Sequence, residues 1–161
     1  MKIWFGIILA SFLVVTFSLL STLIASASAQ QATGTATILG TCGLSFPNGN
    51  AVNYGSLLPN ATSSEKILNM TNSGSVNATL TVTGGDWLNS GGIPVMNRTN
   101  THYNITSGTF FQKTPLQNFD QLVTGNFTSG VILQTFWQLQ AILLNPFTGS
   151  ATQTMNFTVS C

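Results

Sequence analysis

Two apolar phases separated by a small-residue break decide the fold: Glu65-Lys-Ile-Leu-Asn-Met-Thr71, then Asn72-Ser-Gly-Ser75, then Val76-Asn-Ala-Thr-Leu-Thr-Val-Thr83. In the first run Leu68 and Met70 share a phase and Asn69 opposes them. In the second, Val76, Ala78, Leu80 and Val82 share a phase and Asn77 opposes them. A period of two places alternate side chains on opposite faces of a strand. The stretch therefore reads as two strands, and the Gly-containing connection reads as a hairpin turn.

The same pattern extends in both directions. Ala151 to Ser160 reads as a last strand, with Met155, Phe157 and Val159 inward and Asn156 outward. Thr101 to Phe111 reads as strand interrupted at Gly108, with Tyr103 and Ile105 inward and Asn104 outward. Val131 to Leu144 reads as strand, although Gln134–Gln140 also suits a helix. Phe46-Pro-Asn-Gly-Asn50 and Asn145-Pro-Phe-Thr-Gly149 read as turns, and Asn53-Tyr-Gly-Ser-Leu-Leu-Pro59 leads into a Ser/Thr-rich loop. Several short strands at this spacing predict an all-β chain, an Ig-like β-sandwich over residues 42–161.

Only 4% of the 161 residues are charged and 43% are hydrophobic. There is no basic run, so nucleic acid is not an expected partner. The apolar content argues against disorder. Glu65-Lys66 reads as a solvated strand start and Asp86 as a turn residue. His102 stands alone, and no G-x-S-x-G elbow or phosphate-binding glycine loop occurs. Trp87 and Trp137 read as core. Neither enzyme chemistry nor a cofactor or metal is expected. With so few titratable groups, stability should couple weakly to pH.

Residues 1–29 read as a leader: Lys2, an uncharged run from Ile3 to Ile24, then Ala27-Ser28-Ala29, with cleavage between Ala29 and Gln30. The run is also long enough to span a membrane, so an uncleaved anchor stays open, and membrane contact is expected only through it. Either way the rest of the chain is extracellular, at the cell surface. Seven sequons support export: Asn60, Asn69, Asn77, Asn97, Asn104, Asn126 and Asn156, each followed two residues later by Thr. N-linked glycans there would supply the hydration that charges do not. Four of the seven fall on the outward phase of strands, and a one-residue slip would bury them. Cys42 and Cys161 are the only cysteines and read as one disulfide.

Between the cleavage point and Cys42 lies an uncharged, proline-free arm, residues 30–41. Ala32, Gly34, Ala36 and Ile38 share one face and Thr33, Thr35, Thr37 and Leu39 the other. Extended, it reaches about 40 Å. It can fold back as an edge strand of its own sandwich, or it can complete the sheet of a neighbour.

Tyr54-Gly-Ser-Leu-Leu-Pro59 and Lys66 to Trp87 resemble the Ig-like sandwich repeats of archaeal surface proteins. The chain as a whole is similar in character to archaeal filament subunits of the thread and bundling-pilus type. That resemblance implies a glycosylated domain, a donor strand over Ala32 to Gly40 and a homopolymer of identical subunits that supports adhesion or biofilm. Type IV pilins and archaellins, which keep an apolar helix as filament core, are a second filament type. Here Lys2 followed by Ile3-Trp4-Phe5-Gly6 departs from their leader pattern. A monomeric or anchored surface glycoprotein, or binding module, is the alternative outside filaments. Mass analysis of the native protein separates these readings. Gln30 at the amino terminus is expected for strand donation, intact Met1 for an anchor, and Ile7 for the pilin route.

Overall fold

The computed structural model describes residues 40–161. The leader, its cleavage site at Ala29 and Gln30, and the arm positions Ala32, Gly34, Ala36 and Ile38 lie outside the described residues.

The described chain is an all-β sandwich. One sheet has the order β1 (Leu44–Ser45), β2 (Lys66–Asn72), β9 (Ile132–Leu139), β6 (Thr101–Asn104), β7 (Thr114–Pro115). The second has the order β11 (Met155–Ser160), β3 (Ala78–Gly84), β8 (Gln121–Phe127). A short third sheet, β10 (Ala151–Thr152), β4 (Trp87–Asn89), β5 (Pro94–Met96), prolongs the second. The Gly85 N–H donates to the Thr154 carbonyl at 2.9 Å and so carries the β11–β3 pairing on toward β10 and β4. Every strand pair is antiparallel.

The two decisive runs are strands, with the alternation expected, but they are not a hairpin. β2 pairs with β1 and β9, whereas β3 pairs with β11 and β8. Residues 73–77 arch from one sheet to the other. Leu68 and Met70 belong to one sheet and Leu80 and Val82 to the other, and all four are at most 2% exposed in the same core. The buried Asn72 side chain holds the arch. Its Nδ2 donates to the Val76 and Phe127 carbonyls, each at 2.8 Å, and its Oδ1 accepts from the Gly74 N–H at 2.9 Å. A Cβ on Gly74 would collide with the Thr41 carbonyl, so the position requires glycine.

The 134–140 segment is strand: β9 is the centre of its sheet, and Trp137 is fully buried against Phe157 and Tyr103. Ile105 is not inward. β6 stops at Asn104, whose Oδ1 takes the Ile105 N–H at 2.7 Å, and Ile105 is exposed as the chain turns away.

Four of the six charged side chains in the described residues are paired. Glu65 is not simply a solvated strand start. Its Oε2 accepts from Lys113 Nζ at 2.6 Å and from the Gly108 N–H at 3.0 Å, and its Oε1 accepts from Ser107 Oγ at 2.7 Å. The Lys113 side chain is fully buried and also donates to the Gly108 carbonyl and to Gln138 Oε1. This cluster pins the 107–113 loop to the outer side of β9. Asp86, at the bend between β3 and β4, accepts from Arg98 Nε and Nη2, each at 2.9 Å, and from the Arg98 N–H. Partial burial would raise the Glu65 carboxyl. The hydrogen bonds from Lys113, Ser107 and Gly108, with the Lys113 charge, outweigh that and bring it down to about 2 from an ordinary 4.5. The Arg98 hydrogen bond likewise lowers Asp86.

Both carboxylates are depressed in the folded state. The Glu65 contribution is therefore present above its unfolded value near 4.5 and is lost as pH falls from there toward about 2, and the Asp86 contribution is likewise lost on acidification. The expected outcome is a melting temperature that is flat in pH above about 5 and falls below it. Glu65→Ala, which strands a buried ammonium, should cost about 3–5 kcal/mol in denaturant unfolding at neutral pH and flatten the acid limb.

Candidate functional site: an open sheet edge

β11 is hydrogen-bonded to β3 on one side, from Met155 opposite Gly84 to Ser160 opposite Thr79. No described strand pairs with its other side. Among the described residues β10 likewise pairs only with β4. A row of backbone N–H and C=O groups from Ala151 to Ser160 is thus presented along one edge. Unpaired edges of this kind are templates for another strand.

Facing that edge runs the segment that follows β1. None of residues 50–57 makes a backbone–backbone hydrogen bond among the described residues. Between the two walls lies a cleft of about 530 Å³, lined by Leu44, Phe46, Val52, Met155 and Phe157, with Tyr54 and Trp87 at its lower end. Met155, Phe157 and Val159 point inward as the alternation requires, yet each is only half-buried. In β3, the paired neighbour, every inward residue is buried. The inward face of β11 therefore lacks a covering layer on the cleft side. Phe46 and Phe157 meet edge to face there, ring centroids 5.7 Å apart.

Below the cleft a second apolar cavity, of about 680 Å³, opens under residues 53–59. Leu57, Met96, Leu139, Leu143 and Phe147 line it, and Val52, Tyr54, Trp87 and Ala151 border both spaces. Cleft and cavity form one trough running beside β11 and β10. Tyr54 lies between them, edge to face with Trp87 at 5.7 Å, and burial pushes its hydroxyl up.

The upper end of the trough is closed covalently. Cys42 and Cys161 form a disulfide, Cα atoms 6.0 Å apart, joining the chain just before β1 to the residue just after β11. The β1–β2 pairing continues past it. Leu44 lies opposite Asn72, the Ser73 N–H donates to the Gly43 carbonyl at 3.1 Å, and the Ser75 N–H donates to the Thr41 carbonyl at 2.9 Å. Residues 41–45 are therefore extended beside 71–75. Gly40 packs against Val76 at the top of the arch, where the described chain begins.

The sequons are spread over the surface. Asn60, Asn77, Asn97, Asn126 and Asn156 are exposed, whereas Asn69 and Asn104 are half-buried. Asn77 Nδ2 donates to Asn126 Oδ1 at 3.0 Å, which puts two of them side by side. Asn60 adopts a left-handed backbone (φ 65°), which asparagine tolerates. His102 stacks on Phe110 and engages its carbonyl through Nδ1. No group of three His, Cys, Asp or Glu side chains comes together among the described residues. The trough itself is the feature missed in the sequence: residues 50–57 read there as approach to a loop, although Val52 and Tyr54 share a strand-like phase.

No family model matches the chain, and no curated protein matches it. Among solved structures, it is similar to a chain from a chaperone-usher pilus described in connection with rod uncoiling. The two are 14% identical with a TM-score of 0.41, and the match covers 84% of this chain and 99% of that one.

The disulfide closes a loop with a sequence separation of 119 residues. Loop-closure entropy then assigns it roughly 4–5 kcal/mol. Reduction, or Cys42→Ser with Cys161→Ser, should lower folding stability by about that amount in denaturant titration.

Proposed function

We propose that the protein is a structural subunit of an extracellular filament, in which the arm of one copy, Ala32 to Gly40, lies in the trough of the next. The observation that carries this reading is that, among the described residues, the outer edge of β11 is unpaired and faces a segment with no backbone partners. A strand laid between them pairs on both sides and covers the half-buried face of Met155, Phe157 and Val159.

Length agrees. The edge from Ala151 to Ser160 is about 33 Å long at ~3.3 Å per residue, and residues 30–40, extended, reach about 36 Å. Side-chain size agrees as well. The face Ala32, Gly34, Ala36 is small where Phe46, Met155 and Phe157 already crowd the cleft.

The way the chain leaves the domain favours a neighbour over the chain's own trough. Pairing with 71–75 holds residues 41–45 extended as far as the top of the arch. To fill its own trough the arm would have to reverse just before Thr41. To reach a neighbour it only continues. A contact of this head-to-tail kind repeats without closing, and so gives a filament.

In this reading the partners are identical subunits, and N-linked glycans at the seven sequons hydrate a surface poor in charge. The cell-surface location follows from the leader, and the role is mechanical, in adhesion or biofilm, rather than enzymatic. The resemblance of residues 54–87 to archaeal surface repeats supports an archaeal filament.

Deletion of residues 30–40, with the leader kept, tests the reading. Folded, secreted monomer and no fibres by electron microscopy and sedimentation are expected. Fibres that persist would refute strand donation.

A further inference from the structure

We propose that the lower cavity is the docking site for Ile38 of a second copy, so that the arm lies antiparallel to β11 with its root, not its tip, beside Ala151. This rests on the strand-donation reading and adds direction and register to it.

Direction follows from the two ends of the domain. The arm leaves at the upper end, beside the Cys42–Cys161 disulfide and the arch. The trough of a following copy in the same orientation presents its lower end, near Ala151 and Tyr54, to that exit. An arm entering there threads upward toward its own amino terminus. Its amino-to-carboxyl direction therefore opposes β11. An arm folded into its own trough would run parallel to β11, so direction separates the two cases.

Register follows from side-chain volume. Among residues 30–40 only Ile38 and Leu39 carry large apolar side chains; the others are Gln, Ala, Thr and Gly. Ile38 shares the face of Ala32, Gly34 and Ala36. The space at the lower end of the trough holds about 680 Å³, and the space above, where Phe46 and Phe157 meet, about 530 Å³. Setting Ile38 opposite Ala151 puts Gly34 opposite Met155 and Ala32 opposite Phe157, inward phase against inward phase. It also brings Gln30 opposite Val159, so the arm ends where the edge ends. The reverse direction puts Ile38 against the Phe46–Phe157 contact and leaves the large cavity to Ala32.

Disulfide trapping in the secreted full-length chain tests the register, read by non-reducing gels and mass spectrometry of the linked peptides. Ile38→Cys with Ala151→Cys should give intermolecular ladders. Ala32→Cys with Ala151→Cys should not, and a link there would overturn the proposal. Fibres that form with neither link would also overturn it. Ile38→Ala is the second measurement: fibres should dissociate at lower temperature or denaturant, while the melting of the lone domain is unchanged. Equal fibre stability would count against the cavity as the anchor. A wild-type chain that makes no fibres at all removes the strand-donation reading itself, a result distinct from each of these.

Discussion

A backbone group taken out of water has to find a partner, and along the outer edge of β11 no described strand supplies one. Strands inside the sheets are flanked on both sides. β2 and β9 pair over six residues and β11 and β3 over six, and the arch between the sheets is satisfied by the Asn72 amide. Among the described residues, one side of Ala151 to Ser160 has no strand beside it, and residues 50–57, which pass opposite, make no backbone–backbone hydrogen bond. The two segments form opposite walls of the same trough. A protein with a single bare edge could guard it with charge, proline or a bulge. β8 at the far side of that sheet has such irregularities in its pairing with β3. β11 has none in its pairing with β3, no charged residue and no proline.

The scarcity of charge shapes the rest. With so few ionisable side chains, each one is conspicuous, and two pairs are spent on geometry. Glu65 and Lys113 fasten a loop across the outer side of a sheet, and Asp86 and Arg98 fix the bend that lets β3 continue as β4. That bend keeps the second sheet running alongside the trough for its full length. The pairing of a fully buried ammonium with one carboxylate is sound only because two carbonyl oxygens complete its coordination. Neutral polar side chains, chiefly Thr and Asn, do the remaining surface work. Such a surface has little electrostatic self-repulsion to keep copies apart.

Much of the sandwich was legible because a period of two reports which face a residue takes. Leu68, Met70, Leu80 and Val82 were readable as core, and Trp87 and Trp137 as buried. Periodicity does not report the hydrogen-bond partner, which is why the 65–83 run read as a hairpin rather than as an arch between sheets. A hairpin and an arch bury the same alternate residues; they differ only in where the backbone bonds go. The Glu65–Lys113 pair joins residues 48 apart along the chain, with no local pattern to announce it. Ile105 carried the right phase but lay one residue past the strand end. The trough was illegible for a related reason: an element defined by missing partners leaves no mark in the residues that would have supplied them. What the residues do display is a neutral, alternating arm ahead of Cys42.

The disulfide gives that arm a mechanical meaning. In a filament built by strand donation, tension enters each subunit through the arm it has received, which is hydrogen-bonded alongside β11. It leaves through the subunit's own arm, which begins at Cys42. The shortest route between the two is β11 to Cys161, across the sulfur–sulfur bond, to Cys42. That route crosses neither β2, β9 nor the core around Trp137. The hydrogen bonds between arm and β11 are loaded in shear, along the strands, where all of them must yield together rather than one after another. A sandwich lacking this clamp would pass the same load through the two-strand contact of β1 with β2, which is paired at Leu44 and Ser45 and prolonged by two backbone bonds. In such a filament, a disulfide that joins the root of the arm to the end of β11 would bypass that weak link.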